Sequence, residues 1–539
     1  MKKHCFLSIF LVFLVVSCAS IKEPENLYSD IDYTQEEARA EESKRINELL
    51  KTNSVQAFWR ANLLQDDSVI EKCAEVLIEE FNKALEEEDY FNARRIFISL
   101  SNSSYKNLSS LSKNGRELEE LYLKKVPGAN SKPSSTPIKK VSSLIDGTVT
   151  IWVDKGIKVE RGMGIADRVI GSGFFISKDG YIITNNHVIE DVVDKKSSEY
   201  TKLYIKLAED SDTKIPAKVI GWDPEVDLAL LKTEVDAPYV FALGSSEDLD
   251  IGDKIYAIGS PVGLERTLTS GIVSADDRKL FTIGSVLQID AAVNSGNSGG
   301  PCIDGNGNVQ AIVFAGMLQF EGLNFAIPVE YLKSLLPSLY AGGKISHPWI
   351  GCFGHTKKEL GKNAGLEVQY CLPGGSASRA KIKVGDVIVE LNGQKITTLE
   401  EYQSVMMKCV AKSIVNIKVR HSDETETVHS IYLAVRPEQP GYVIYKGDIF
   451  AHAALPIFGM GLTSVSTSSS RKYSINTIIK GSIADEYNFA ENDPIEVYTV
   501  KTNEKNTAIY AEVYTKNQKK GYLDISMAFS AALDSPYYF

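Results

Sequence analysis

Between Thr148 and Phe314 the chain reads as nine short apolar runs punctuated by glycine: Thr148–Val153, Gly173–Ser177, Tyr181–Thr184, Tyr204–Leu207, Ala217–Gly221, Leu228–Thr233, Ile255–Ile258, Gly271–Ser274 and Val309–Phe314. Many short strands at such spacing predict an all-β barrel or sandwich. That body uses only part of the chain. At ~150 residues per domain, a length of 539 predicts three or four domains. With 43% apolar and 24% charged residues, wholesale disorder and a polytopic membrane protein are excluded. The net charge of −11 lacks the basic footprint that wholesale nucleic-acid binding requires.

Upstream, Lys2 and Lys3 precede an apolar run from Cys5 to Val16 that is broken only by Ser8. A spanning helix needs about 20 apolar residues, so residues 1–17 read as an export signal. The run ends in Val15-Val16-Ser17-Cys18, which resembles a bacterial lipobox with Val15 in place of the usual leucine. The resemblance implies lipidation at Cys18 and a membrane-held exported protein, with multiple acyl chains holding far better than one. Residues 18–126 are acidic and helical in pattern. Lys22–Lys125 holds 22 acidic against 15 basic residues, so net −7 of the −11 lies there. Thr34-Gln35-Glu36-Glu37 has capping-box form. Cys73, Val76, Leu77, Phe81, Ala84 and Leu85 share a helical face, and Ala93, Ile96, Phe97 and Leu100 repeat it beyond the polar break Glu86–Asp89. This predicts a helical hairpin. Residues 127–144, rich in Pro, Ser and Lys, read as a linker. Seven scattered cysteines with no Cys-x-x-Cys pair predict neither a disulfide framework nor a zinc or redox site, so no metal and no cofactor is expected.

The sharpest chemical signal is Gly296-Asn297-Ser298-Gly299-Gly300-Pro301. A serine nucleophile needs an exposed hydroxyl, and flanking glycines permit the tight backbone that aims N–H groups at a developing oxyanion. Two partners lie upstream: His187 in Thr184-Asn185-Asn186-His187-Val188, and Asp227 at the head of Asp227-Leu228-Ala229-Leu230-Leu231-Lys232. In the triad logic Ser298 attacks the scissile carbonyl, His187 relays the proton, and Asp227 fixes the imidazole tautomer and stabilises its cation. Asp223 is the rival carboxylate. The loop Gly296, Asn297, Ser298 forms the expected oxyanion hole, with the N–H groups of Gly296 and Ser298 as donors.

The strings GSGFFIS, GYIITNNHVI, VDLALLK, AIGSPVGLERTLTSGIVSA, QIDAAVNSGNSGGP and GLNFAIP resemble the HtrA (high-temperature requirement A) serine proteases of the chymotrypsin-like clan. The resemblance implies a protease domain at 145–340 built as a double β-barrel with catalysis between the barrels. It further implies ATP-independent cleavage of unfolded or misfolded polypeptides in envelope protein quality control, by a trimer or a multiple of trimers. Val293, Leu323, Asn324 and Phe325 are the expected specificity pocket, suited to small or medium aliphatic residues. Two residues depart from the family pattern: Ser295 where proline is usual, and Asn324 where glycine is frequent. Cys302 reads as a buried apolar residue.

Residues 345–436 resemble a PDZ domain, with Trp349, Ile350, Gly351 and Cys352 as the loop that receives a peptide's C-terminus. Residues 442–539 resemble a degenerate second PDZ-like domain, whose Gly481-Ser482-Ile483-Ala484 and Asn492-Asp493-Pro494-Ile495 parallel steps of the first. The fold class is therefore multidomain: an α-helical N-terminal segment, an all-β chymotrypsin-like double barrel, then PDZ-like β/α domains. The competing expectation is a non-proteolytic chaperone or scaffold on the same framework, for which an intact His187, Asp227 and Ser298 would be unnecessary.

Overall fold

The computed structural model describes residues 36–103, 105–138, 141–160, 162–194, 201–210, 212–260, 267–280, 283–294, 296–316, 323–465, 471–519 and 521–539. The signal 1–17, Cys18, Thr34 and Ser295 lie outside them. Two compact units form, one of residues 36–440 with 534–539 and one of residues 441–533.

The N-terminal segment is five helices, Glu36–Leu49, Ser54–Leu64, Asp67–Glu86, Tyr90–Asn102 and Gly115–Lys125. The expected hairpin is the third and fourth, joined across the polar break. Side chains of Asn53, Asp66, Asp89 and Asn114 cap four of the N-termini by accepting otherwise orphaned backbone N–H groups. Cys73, Leu77, Phe81 and Ala84 are buried with Ala93, Ile96 and Leu100, while Val76, Leu85 and Phe97 are partly covered.

Twelve strands build the next domain: β1 (Thr148–Glu160), β2 (Met163–Phe175), β3 (Tyr181–Thr184), β4 (Lys202–Lys206), β5 (Ile215–Asp223), β6 (Leu228–Thr233), β7 (Lys254–Gly259), β8 (Thr267–Arg278), β9 (Val286–Ile289), β10 (Pro301–Ile303), β11 (Val309–Gly316) and β12 (Asn324–Pro328). The order β5-β4-β1-β2-β3-β6 closes on itself through β5–β6 pairing, and β10-β11-β12-β9-β8-β7 forms a second closed barrel. Closure removes exposed sheet edges, and residues alternating inward fill each core. Val149, Ile151, Ile182 and Leu231 line the first core, and Ile255, Ile289, Cys302 and Val313 the second. Burial pushes the Cys302 thiol up to about 12. The helix Val329–Ala341 crosses β5 so closely that a Cβ at Gly221 would run into the Leu339 carbonyl.

Part of the expected linker, 127–144, is tied to the loop between β10 and β11. The Ser134 N–H donates to Asn308 Oδ1 (2.6 Å), Asn308 Nδ2 donates back to the Ser134 carbonyl (2.9 Å), and Ile138 N–H reaches the Gly305 carbonyl (3.2 Å). A helix, Val141–Asp146, follows. Besides these backbone bonds, Leu144 is buried in the core and Ile138 packs against it.

Beyond β13 (Gly343–Lys344) and β14 (Pro348–Trp349) come β15 (Cys352–Glu359), β16 (Lys362–Cys371), β17 (Val387–Leu391), β18 (Gln394–Lys395), β19 (Ile414–Arg420) and β20 (Glu426–Tyr432). The sheet order is β15-β16-β17-β19-β20, with helix Leu399–Met407 beside it. The N-terminal helices share this domain's core. Trp59 Nε1–H donates to the Ser430 carbonyl (2.8 Å), Asn102 Nδ2 to the Ile414 carbonyl (2.8 Å), and Ile414 N–H to Ser99 Oγ (3.2 Å).

In residues 441–533 five strands form an antiparallel meander, and its first part repeats the turn of the preceding domain bond for bond. Asp386 Oδ2 accepts the Lys383 N–H and Asp493 Oδ2 the Ala490 N–H, both at 2.9 Å. Ile382 N–H to the Ala377 carbonyl (3.0 Å) is matched by Phe489 N–H to the Ala484 carbonyl (3.0 Å), and Gly385 N–H to Val368 (2.8 Å) by Asn492 N–H to Ile475 (2.7 Å). The likeness stops after Pro494–Thr502. Strand Ala508–Asn517 follows directly, with no counterpart to helix Leu399–Met407.

Candidate active site

β3 delivers the chain into a helix, Asn186–Val193, whose first turn carries His187. Asp227 precedes β6 in a left-handed conformation (φ 59°). The turn is pinned from the other side, because Asn185 Nδ2 donates to the Asp227 carbonyl at 2.8 Å. Asp227 Oδ1 accepts the His187 backbone N–H (2.7 Å) and Oδ2 contacts Nδ1 of the ring (2.7 Å). A carboxylate only accepts, so Nδ1 carries the hydrogen and Nε2 keeps its lone pair. Burial lowers the basicity of His187, but the hydrogen bond and charge of Asp227 outweigh it, and the pKa lies above its usual 6.5.

Ser298 sits between β9 and β10. Its carbonyl accepts the Ser172 N–H (2.8 Å), and Ser172 Oγ donates to the Gly296 carbonyl (2.6 Å), so β2 of the first barrel holds the loop of the second. Gly296 has φ 101°, a region an L side chain rarely enters, and a Cβ at Gly299 would collide with the Ser172 carbonyl and the Thr184 hydroxyl. The Ser298 hydroxyl donates to the Phe314 carbonyl at 3.2 Å, and the Phe314 ring stands edge-on to His187 with centroids 6.4 Å apart. His187 and Asp227 are thus paired on the first barrel, and Ser298 sits on the second beside Phe314, whose ring faces His187.

Within the loop, Gly299 N–H bonds the Val313 carbonyl (2.8 Å) and Gly300 N–H the Asn297 carbonyl (2.9 Å). Asn297 was expected in the oxyanion hole, but its N–H closes a turn onto the Asn294 carbonyl (3.0 Å) and is not available to a substrate. The N–H groups of Gly296 and Ser298 have no acceptor among the described residues. Such unpartnered donors suit an incoming oxyanion.

Of the expected pocket residues, Val293, Asn324 and Phe325 are buried and Leu323 is half-buried. Asn324 Nδ2 donates to the Ala291 carbonyl (2.9 Å), so its amide is occupied within the wall. Asp223, the rival carboxylate, is spent elsewhere. It accepts the N–H groups of Glu225 (2.9 Å) and Val226 (3.2 Å), and its Oδ2 pairs with buried His347 Nε2 (2.8 Å).

In the other predicted loop, Trp349 pairs with Ala434, Ile350 lies in the core, Gly351 has φ 88°, and Cys352 opens β15 with its thiol 3.1 Å from that of Cys371. Sequence reasoning missed the residues that meet this loop: Tyr537, Tyr538 and Phe539, with Arg436 and Asp534 beside them. The aromatic string Tyr537-Tyr538-Phe539 in a chain that also carries a peptide groove was the available signal.

Residues 171–312 match the trypsin-like peptidase domain family, 355–430 the PDZ domain family, 441–533 the TP0546 family PDZ domain, and 37–122 a domain of unknown function. A "Probable periplasmic serine endoprotease DegP-like" from Marinomonas sp. (strain MWYL1) is 37% identical over 288 residues, covering 51% of this chain and 59% of that protein. One of the same description from Pseudomonas fulva (strain 12-X) is 40% identical over 239 residues, 42% of this chain and 48% of the other. The chain therefore spans about half the length of the curated relatives it matches. A solved structure, "HtrA-type protease AlgW with decapeptide", aligns at 26% identity and TM-score 0.46 over 55% of this chain and 98% of its own.

Proposed function

We propose that this chain, an HtrA-family protein by its trypsin-like peptidase and PDZ domains, is a serine endopeptidase that hydrolyses unfolded or misfolded exported polypeptides without ATP. The observation that carries the reading is a carboxylate-held imidazole at His187 that shares Phe314 as a neighbour with the Ser298 hydroxyl, beside two N–H groups that have no acceptor among the described residues. Rotation of the Ser298 side chain about χ1 frees its hydroxyl from Phe314 and presents it to His187. Oγ then attacks the scissile carbonyl while Nε2 takes its proton, and the carbonyl oxygen becomes the anion received by the Gly296 and Ser298 N–H groups. The imidazolium, held by Asp227, returns the proton to the leaving amine. Water repeats the sequence on the acyl-enzyme. The engaged amide of Asn324 leaves the pocket to apolar contacts, which supports a preference for small or medium aliphatic residues.

The same reading places the protein in the cell envelope, held at a membrane through Cys18 and assembled as trimers or multiples of trimers. The periplasmic description of the relatives and the string Val15-Val16-Ser17-Cys18 support export and anchoring. Cys18→Ala should move the protein from the membrane fraction to the soluble one; unchanged fractionation and mobility would refute the anchor. For the enzyme, an unfolded chain such as casein should be cleaved by wild type in chelator without nucleotide and left intact by Ser298→Ala. Equal cleavage by both removes the assignment to Ser298, and no cleavage by either favours the scaffold alternative.

A further inference from the structure

Beyond catalysis, and resting on the PDZ reading only, we infer that the groove of residues 345–436 already holds a ligand, the chain's own segment Asp534–Phe539. β15 is the edge of its sheet, with backbone groups open to a further strand. The segment supplies that strand. Cys352 N–H donates to the Phe539 carbonyl oxygen (2.7 Å), Phe539 N–H to the Cys352 carbonyl (2.9 Å) and Gly354 N–H to the Tyr537 carbonyl (3.2 Å), with Phe353 and Tyr538 paired antiparallel. This is strand addition, in which the backbone gives affinity and alternate side chains give selectivity.

The side chains fill the site. Phe539 is 4% exposed, its ring 5.2 Å from that of Tyr402 on helix Leu399–Met407. Tyr538 is equally buried beside Phe353 (5.5 Å), and Tyr537 stacks on His355 at 4.0 Å. Gln403 Nε2 donates to the Pro536 carbonyl (2.9 Å). A latch secures the near end, where Arg436, itself buried, pairs with Asp534 (2.5 Å) and with Glu225 (3.3 Å), two residues before Asp227.

The covalent path makes this occupancy local. Gly441 N–H donates to the Leu533 carbonyl (2.8 Å), so residues 441–533 begin and end at one place and return the chain to where it left. From there six residues reach about 20 Å when extended. A segment tethered so closely competes at an effective concentration of about 1 mM. Against a groove of about micromolar affinity, it weakens any peptide offered in trans by roughly 10²–10³-fold. The ligand class is thereby an extended peptide that presents large aromatic side chains in the positions of Tyr537, Tyr538 and Phe539.

Binding of a fluorescent peptide, Asp-Ser-Pro-Tyr-Tyr-Phe with a free carboxylate, tests this by anisotropy in the Ser298→Ala background, where cleavage cannot consume the probe. A chain truncated after Leu533, and separately the full-length Phe539→Asp variant, should bind the peptide roughly 10²–10³-fold more tightly than the chain with the unaltered tail does. Equal affinity in all three, or no binding to either altered chain, overturns the inference. Because the readout is binding, it stands or falls apart from the protease assignment.

Discussion

Alanine at Ser298 should lower the rate of casein hydrolysis by about 10⁴–10⁶-fold, the scale on which loss of a triad nucleophile acts. The size follows from the division of labour: every remaining group at the junction moves a proton or stabilises charge, and none can form the acyl bond. The loss should be chemical. Among the described residues Ser298 Oγ makes one hydrogen bond, to the Phe314 carbonyl, whereas the residue's backbone carries the bond to Ser172. Thermal unfolding of the variant should therefore stay within about 0.5 kcal/mol of wild type. A large fall in stability together with activity would assign Ser298 a structural role.

Asn at position 227 should cost about 10⁴-fold in kcat, the scale of the same change in the template triad. Asp227 accepts two hydrogen bonds, from the backbone N–H and from Nδ1 of His187. An amide has one accepting oxygen, so either the turn or the imidazole loses its partner, and the ring settles in the wrong tautomer. The pH profile carries a second signature. Hydrolysis needs neutral His187, so wild-type activity should rise with pH through a midpoint above 6.5, where the bond and charge of Asp227 hold it against burial. In Asp227→Asn the burial effect remains and the larger opposing ones are gone, leaving only the charge of Glu190, so the midpoint should move down.

Asp223→Asn is the control. Burial lowers the His347 pKa, but the charge and hydrogen bond of Asp223 raise it above 6.5 overall. A raised histidine stabilises the fold below its unfolded pKa, and that contribution is lost as pH climbs through the folded value. Wild-type Tm should accordingly fall over that interval, and Asp223→Asn should be less stable at low pH with a flatter profile, while its kcat midpoint stays near wild type. A kcat midpoint that moves with Asp223 instead of Asp227 would exchange their roles.

The barrels were legible because inward-facing residues must be apolar, as in Ile182 and Leu231, and because turns between them need glycine. The His187–Asp227 pair was legible for a related reason: both residues flank strands whose patterns locate them. What escaped depends on backbone partners far away in sequence. Nothing in Gly296-Asn297-Ser298 tells which N–H the Asn294 carbonyl will claim, and nothing in Ser134 or Ile138 announces Asn308 and Gly305. Trp59 reads as one more helical apolar residue until its indole is found on the Ser430 carbonyl. Tyr537–Phe539 fell within the expected PDZ-like domain 442–539 because strand addition is written mostly in backbone groups, which every sequence shares.

The most direct test of the central claim is covalent. Incubation of the folded protein with a fluorophosphonate probe, which phosphonylates an activated serine, followed by peptide mapping, should place one label per chain on Ser298, with labelling lost in His187→Ala. Labelling of a different serine, or cleavage of casein by a protein whose Ser298 stays unmodified at saturating probe, would contradict the account.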